Sequence, residues 1–525
     1  MTDRPRGQAR QPHPNPSKRP SARPNSAQRP GKKPRPVGSS GRRKPHARTA
    51  HDLDPRKAAF ETLRRLTPGE LLEPAVQATL RYQGWGIEHT HRVMPMLEDA
   101  TRFTLLFDHL IAHLSSRPTS ELDPDVRAAL HLFLSWYLLD DPRATYAYGN
   151  AAVEMLSDKH KGRGFVNALV RRLGDFVKVE QGEPEDYRAE IKEHRPIELW
   201  ADKARLGNGR MLVAERPIFP DPATKLAEHL SIVASLPPYF VEQLIEQHGP
   251  EAATQIAIAC VERPATWVRV NPMVAGANEL AEWWTRNGVS VQQVLRNDGG
   301  RTVALPPHTR NLTTHPSWEL GGFYIQDYSA QLVAPAMQPQ AGEALLDLCS
   351  APGGKAGHLG ELTKDQARIL ACDLTEPKIE LIQQNIARMG YRSIATVQAD
   401  ATEVRFPEQF DGVLIDAPCS NSGVLARRVE ARHRITKESV SELQALQLRI
   451  LENAAANLKR GGRIVYSVCS ILLDEGPDVV HRFLRGKIGD VRREDAGWEV
   501  EHENYLLPIP AYHDGGYVTR IRAPK

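Results

Sequence analysis

Apolar residues recur at helical spacing in Ala58–Leu66, in Val126–Leu139 and in the run around Phe165. Residues 53–178 are therefore expected to be all-helical. Residues 179–232 are charged and irregular, and the Pro217–Pro222 cluster reads as a linker. Over 233–333 the pattern suits a smaller α/β unit. Tyr239–His248 is amphipathic, and Ala265–Val270 reads as a strand before Asn271-Pro272. From 334 to 525 the pattern changes again. Ala344–Leu348 is an apolar run interrupted only by Asp347, as in a strand buried on both faces. Arg368–Asp373, Ile394–Asp400, Phe410–Asp416 and Gly462–Cys469 repeat the theme, and Gly516–Ile521 reads as the last strand. Between them, Val440, Leu443, Leu446, Ile450, Ala454 and Leu458 form one helical stripe. Thr436 is placed to cap that helix, and Gly461-Gly462 to stop it.

Strands alternating with helical patterns predict a doubly wound parallel sheet, with its ligands at the strands' carboxyl ends. The chemistry-bearing residues fall at those ends. Cys349, Ser350, Ala351, Pro352, Gly353, Gly354 and Lys355 form a glycine turn leading from a strand into a helix. Such a turn lets backbone approach a ligand and offers it the free N–H groups of a helix start. Asp373, Asp400 and Asp416 close the following strands, and Asp373 has the spacing of a carboxylate that holds ribose hydroxyls. Cys419 follows one strand end in Asp-Ala-Pro-Cys-Ser, and Cys469 lies at another in Tyr-Ser-Val-Cys-Ser.

Composition adds a compartment and an asymmetry. The length of 525 residues suits about three domains. Five cysteines are too few, and odd in number, for a disulfide framework, and no CxxC pair or His/Cys cluster suggests zinc. No apolar run approaches the ~18 residues of a membrane span, and the N-terminus lacks the apolar core of a secretory signal. A cytoplasmic protein is expected. The net charge of +4 conceals a basic arm. Residues 1–50 hold fourteen Lys/Arg against the single acid Asp3, a net +13, so the remaining residues carry −9. Residues 1–52, rich in Pro, Arg, Ser and Gly, cannot bury a core and are expected to be a disordered basic tail.

LDLCSAPGGK, ACD, LIDAPCS and YSVCS together resemble the successive motifs of the RNA 5-methylcytosine methyltransferases that use S-adenosylmethionine. The Pro-Cys pair followed some fifty residues later by Cys-Ser is the most specific of these marks. Tyr146–Glu154 and Lys161–Arg172 resemble the last helices of a NusB-like RNA-binding domain. That domain precedes the methyltransferase in the Sun/RsmB family of small-subunit (16S) ribosomal RNA methyltransferases. The resemblance implies a NusB-like bundle over 53–178, an RRM-like unit over 233–333 and a Rossmann-like adenosylmethionine-dependent catalytic domain over 334–525. Arg269-Val-Asn271 and Gln326-Asp327 match motifs of the small unit, whose implied role is to pack on the catalytic domain and line an RNA groove. Trp267 and Tyr324 are expected in the core rather than stacked on bases. Arg163, Arg171 and Arg172 are read as a solvated helix face, with RNA phosphates the functional alternative.

Carbon 5 of cytosine is a poor nucleophile. A thiolate that adds to carbon 6 makes the ring enamine-like, so that carbon 5 can take a methyl group. A base must then remove the carbon-5 proton so that the thiolate can leave. The resemblance implies Cys469 as the nucleophile and Cys419 as the residue that assists release. It implies that Asp416 holds the cytosine edge near N3 and N4, and that Lys355 approaches the target base. For the cofactor it implies Asp373 on the ribose, Asp400 at the adenine end, and Cys349 to Lys355 along the methionine and ribose side, with Asp416 bordering the site. The chain departs from the family at Val468, where Thr is usual, and at Gly476, where Asn usually follows the acid Glu475. It departs again at Ala356, in place of Thr, and after Gly423-Val-Leu, where the usual Pro is missing. None of these removes a group that the chemistry needs.

Two other readings stand beside this one: a transfer RNA enzyme of the same chemistry, and a non-catalytic RNA-binding or antitermination factor on the same fold. The NusB-like region favours ribosomal RNA, and the presence of Cys419, Cys469 and Asp416 favours an enzyme. The expected partner is RNA, bound by a monomer, with no membrane and no metal. A basic arm contributes sequence-independent affinity that salt weakens. Deleting residues 1–50 is expected to flatten the salt dependence of RNA binding and to leave the modified position unchanged. A modification map that shifts on deletion contradicts this.

Overall fold

The computed structural model describes residues 54–525, apart from 184–186, 194, 298–299, 308 and 310–311. The basic tail expected over 1–52 lies outside the described residues. The first part is helical, with helices at Pro55–Leu63, Leu72–Tyr82, Thr90–Arg102, Thr104–Ser115, Pro124–Leu139, Thr145–Met155 and Arg163–Phe176. Local chemistry sets their starts. Asp54 and Asp123 each accept a hydrogen bond from the backbone two residues on, with proline at the first helical position. Pro124–Leu139 is buried on nearly every face, from Ala128 to Leu138, and forms the centre of the bundle.

Residues 179–232 differ from the expected linker. Strands β1 (Val177–Gln181), β2 (Lys203–Gly207) and β3 (Arg210–Ala214) form an antiparallel sheet in the order β1-β3-β2. Asn208 and Gly209, at φ 54° and 71°, turn β2 into β3. Asn-Gly is the residue pair that tight hairpins favour, and the abundant charge and proline around it hide that signal. Next, β4 (Thr266–Val270), β5 (Gln293–Asn297), β6 (Gly300–Leu305) and β7 (Phe323–Ile325) make an antiparallel sheet, ordered β5-β6-β4-β7. Leu280 and Trp284 of the helix Ala277–Arg286 join Val268, Val303 and Phe323 in its core. Trp267 is buried, as expected, and donates from its indole nitrogen to the Tyr512 carbonyl at 2.8 Å.

The last part is built on β8 (Ala344–Asp347), β9 (Arg368–Asp373), β10 (Ile394–Gln398), β11 (Phe410–Asp416) and β12 (Leu458–Val468). A small hairpin of β13 (Lys487–Ile488) and β14 (Val491–Arg492) follows, then β15 (Glu499–Leu506) and β16 (Gly516–Arg522). The large sheet runs β10-β9-β8-β11-β12-β16-β15. Pairs among β8 to β12 are parallel, but β16 lies antiparallel to both β12 and β15. The sheet is therefore mixed rather than wholly parallel. The loop 507–515 between β15 and β16 needs no crossover helix, and only antiparallel neighbours permit that. Chain order reverses between β8 and β11, the switch point where sheets of this kind bind ligands.

Two buried arginines join the parts. Arg269 on β4 makes a bidentate pair with Glu361 at 2.9 and 3.0 Å, each side chain 2% exposed, and donates to the Gly354 carbonyl at 2.9 Å. Tyr391 adds its hydroxyl to Glu361 at 2.6 Å. Arg432 is fully buried and donates only to carbonyls, those of Arg102, Ala234, Ser235, Cys260, Leu425 and Val429. Removing one partner of a buried pair strands the other charge. Arg269→Ala is expected to cost about 3–5 kcal/mol in urea unfolding. The double change Arg269→Met with Glu361→Leu is expected to recover most of that loss, and a double variant as unstable as the single one contradicts the ion-pair account.

Candidate active site

The glycine turn sits where β8 gives way to the helix Gly354–Leu362. Gly353 takes φ +96°, and a Cβ at Gly354 would lie 2.9 Å from the Tyr324 ring, so both positions require glycine. Tyr324 is thus packed against the turn, beneath the Arg269 and Arg388 guanidinium groups, and not free to stack on a base. Asp373 shapes the same turn. Its Oδ2 accepts from the Ala351 N–H at 2.9 Å, and its Oδ1 accepts from the Leu374 N–H and the Lys378 ammonium, both at 2.8 Å. Ser350 donates its N–H to the Cys372 carbonyl at 2.8 Å. Pro352 offers its carbonyl to the Asn385 amide at 2.9 Å. Cys349 is half-buried, and burial, then the nearby Asp347, Asp373 and Asp416, push its thiol well above the usual value. Asp400 stands apart at the end of β10. It is exposed, with Oδ1 engaged by the N–H and hydroxyl of Thr402, and no described hydrogen bond ties it to the others.

Lys355 opens the helix and reaches across to Asp416, Nζ to Oδ2 at 2.6 Å. Burial opposes the ammonium charge, but the Asp416 carboxylate and its hydrogen bond raise the Lys355 pKa above its ordinary value. Ser467 on β12 donates to the other Asp416 oxygen at 3.0 Å. Beyond this pair, the Cys419 and Cys469 sulfurs lie 3.3 Å apart, both as free thiols. The contact with Cys469, then burial, push Cys419 well above the usual thiol value. Cys469 donates to Asn421 Oδ1 at 3.2 Å, and Asn421 is held at φ 61°. Lys355, Asp416, Ser467, Cys469, Asn504 and Tyr517 line one cavity, with about 70 Å³ of interior space. The expected catalytic residues therefore converge, and of the expected cofactor residues only Asp400 remains peripheral.

Sequence reasoning missed Glu475, Gln447, Asn421 and Asp347. Glu475 is fully buried and binds the N–H and hydroxyl of Ser420, the hydroxyl of Ser470 and the amide of Gln447. Gln447 also reaches the Pro418 carbonyl at 2.9 Å. It belongs to the buried face of the helix Lys437–Ala456, where Gln444 and Asn453 are likewise inward, while Leu443 and Leu446 are only half-buried. The clue was a serine after each cysteine and a polar residue at every turn of the apolar stripe. Asp347 is fully buried, and neither of its oxygens meets a hydrogen-bond donor among the described residues. Burial raises its pKa to about 7, with Asp416 and Asp373 adding to the shift.

A glycine cradle at the switch point of a mixed sheet, ringed by strand-end acids, defines an α/β methyltransferase-like domain. Residues 334–522 match the family model described as 16S rRNA methyltransferase RsmB/F. The chain is 32% identical over 305 residues to the probable ribosomal RNA small subunit methyltransferase B of Bacillus subtilis (strain 168), covering 57% of this chain and 65% of that protein. It is 32% identical over 289 residues to the ribosomal RNA small subunit methyltransferase B of Yersinia pseudotuberculosis serotype O:1b (strain IP 31758), covering 54% and 66%. The matched stretch thus spans just under two thirds of those relatives' own length. The crystal structure of PH0851 shares the fold, with a TM-score of 0.64 at 20% identity over 90% of this chain and 99% of that one.

The orphaned Asp347 sets a pH dependence. A carboxyl whose pKa is raised on folding favours the folded state fully below its ordinary value of 3.8, and loses that contribution as pH rises toward about 7. Asp347→Asn removes the loss. Thermal unfolding of the ligand-free protein is expected to show the variant more stable than wild type at pH 8, by up to about 4 kcal/mol. The advantage should shrink toward pH 4, and equal stability across that range contradicts the assignment.

Proposed function

We propose that this chain is an S-adenosylmethionine-dependent RNA cytosine-5 methyltransferase that modifies one cytosine of small-subunit ribosomal RNA through a covalent cysteine–C6 intermediate. The observation that carries this reading is the pair of thiols 3.3 Å apart, with Cys469, Lys355 and Asp416 lining one cavity and Cys419 against Cys469. A simple methyl transfer to an exposed heteroatom needs no thiol, and still less two of them. The small-subunit ribosomal RNA target is supported by the names of the two relatives above. In this reading the helices from Pro55 to Phe176 form the NusB-like RNA-binding domain, and the β4–β7 sheet is the RRM-like unit beside the RNA path.

The residues present fit the cofactor. Gly353, at φ +96°, lets the backbone make the tight turn that would follow the methionine and ribose portion, and Asp347 supplies a buried carboxylate without a partner for a cationic group. When bound, S-adenosylmethionine supplies an electrophilic methyl group. Asp373 keeps the turn in place through Ala351, and one of its lone-pair directions stays open toward a ribose hydroxyl. Cys469, as a thiolate, adds to carbon 6, and the electron pair of the C5–C6 double bond moves to carbon 5. Asp416, held by Lys355 and Ser467, faces the N3/N4 edge of the ring; its carboxyl gives a proton to N3 as attack proceeds and takes it back when the C6–S bond breaks. Carbon 5 takes the methyl group. Cys419 in its thiolate form accepts the carbon-5 proton, and the C6–S bond breaks to restore the ring. A thiol with a raised pKa is a stronger base once ionised, which suits Cys419 to that step.

The two thiols are expected to behave in opposite ways. Cys469→Ser should abolish the covalent RNA adduct and methylation together. Cys419→Ser should attack, transfer one methyl group and then stall as a protein–RNA adduct visible on a denaturing gel. An adduct trapped only by Cys469→Ser reverses the roles. Wild-type methylation in both variants, with no adduct in either, eliminates the cysteine mechanism. Bisulfite sequencing of ribosomal RNA from a deletion strain locates the modified cytosine.

A further inference from the structure

The two cysteines lie on separate loops, and a thiol pair 3.3 Å apart is not a default outcome of two loops meeting. Each cysteine is followed by a serine, and both serines end on the same carboxylate. Glu475 Oε1 accepts from the Ser420 N–H at 2.8 Å and from the Gln447 amide at 3.1 Å. Glu475 Oε2 accepts from the Ser420 hydroxyl, and from the Ser470 hydroxyl at 2.6 Å. All four lone-pair directions of the carboxylate are thus taken, two of them by N–H groups that can only donate. The network extends outward. Ser422 and Ser470 share a hydrogen bond of 2.8 Å, and Ser422 also accepts from the Ile471 N–H at 2.9 Å. Ser470 Oγ accepts from the Leu472 N–H at 3.1 Å. The Tyr466 hydroxyl fixes the Glu475 carbonyl at 2.6 Å, and Gln444 fixes that of Asp474 at 2.6 Å. Both loops therefore hang from one residue that is itself immobilised by the helix Lys437–Ala456 and by β12.

We propose that Glu475 is a positioning residue, a buried brace that sets the separation of the Cys419 and Cys469 sulfurs and so couples thiol attack to release. The brace touches neither thiol. It acts on the N–H and hydroxyl of Ser420 and on the hydroxyl of Ser470, the residues after each of them, so its loss changes geometry rather than removing a reacting group. The kinetic consequence rests on the methyltransferase reading above, whereas the geometric one does not.

The test measures both. Phenylarsine oxide joins two thiols only when they are close: arsenic forms two S–As bonds, and its oxygen departs with the two thiol protons as water. Wild-type full-length protein is expected to capture it at the Cys419–Cys469 pair, and Cys419→Ser is the blank. Glu475→Ala is expected to slow capture about 100-fold, the scale on which small misplacements of reacting groups act. It should lower kcat by a similar factor while KM for RNA holds steady, and raise the fraction of RNA left as covalent adduct. Ser470→Ala frees Glu475 from Ser470 while leaving Ser420 and Gln447 on it, and is expected to show the same pattern at about tenfold. Circular dichroism confirms folding, and if Glu475→Ala fails to fold, Ser470→Ala decides. Folded variants that capture the arsenical as fast as wild type overturn the brace. A wild-type protein that captures it but methylates no RNA overturns the methyltransferase reading and leaves the brace standing.

Discussion

The site depends on the register of β11 against β12. The two strands pair in parallel with Ile415 opposite Tyr466 and Asp416 opposite Ser467, while on the other side Leu414 of β11 sits opposite Asp347 of β8. Side chains alternate between faces, so a slip of one residue would turn every inward group outward. In the observed register Ser467 can reach Asp416, and the loops that leave the two strands bring Cys419 and Cys469 together. The buried residues around the register, Val413, Ile415, Ile464 and Tyr466, are apolar or aromatic and fit only one way. The chemistry at the edge is therefore inherited from packing deeper in the sheet.

The same edge gathers more negative charge than it neutralises. Asp347, Asp373 and Asp416 close neighbouring strands, and the cations answering them are Lys355 on Asp416 and Lys378 on Asp373. Asp347 has no hydrogen-bond partner among the described residues, and burial, with Asp416 and Asp373 adding to it, carries its pKa to about 7. A folded protein bears such a group at a cost in stability, and buried unpaired carboxyls cluster where a ligand is to complete them. Lys355 stands on the boundary between this acidic cradle and the thiols. Its ammonium is committed to Asp416, the acid nearest the thiols, at 2.6 Å.

Much of the fold was legible because apolar runs and punctuation coincided. The strands Arg368–Asp373 and Phe410–Asp416 appear at the expected residues, and Thr436 caps its helix in a reciprocal pair with Ser439. What escaped was structure specified by polar residues. The β2–β3 hairpin rests on Asn208-Gly209 within a charged stretch, and the mixed sheet rests on a strand pairing that apolar periodicity cannot orient. The helix Lys437–Ala456 shows the limit most clearly. Its stripe was traced through Leu443 and Leu446, yet the fully buried positions include Gln444, Gln447 and Asn453. Hydrophobicity alone assigns those side chains to solvent. Each is inside because a backbone group awaits it: Asp474 O for Gln444, Pro418 O for Gln447, Ala401 O for Asn453. The candidate site was legible in its reacting groups and illegible in their supports, Glu475 above all, for the same reason.

The Arg432 cage extends this logic beyond the catalytic sheet. The loop after Cys419 runs through Leu425 and ends in a short 3₁₀ helix, Val429–Arg434, that is buried against the helical part. Arg432 meets no carboxylate there. Its three nitrogens are shared among six carbonyls drawn from the end of the helix Thr90–Arg102, from Ala234 and Ser235, from Cys260 and from its own loop. Burial lowers its pKa only to about 10, so it stays charged at neutral pH. A lysine has three donors radiating from one point and could not satisfy carbonyls spread across a plane, whereas a guanidinium fork can. Arg434 adds a further tie, donating to the Gly69 carbonyl at 2.7 Å. The loop that carries a candidate catalytic thiol is thereby anchored at one end by the Glu475 carboxylate, in the loop after β12, and at the other by carbonyls of the helical bundle. Neither anchor is apolar, and each works because it leaves few buried polar groups without a partner.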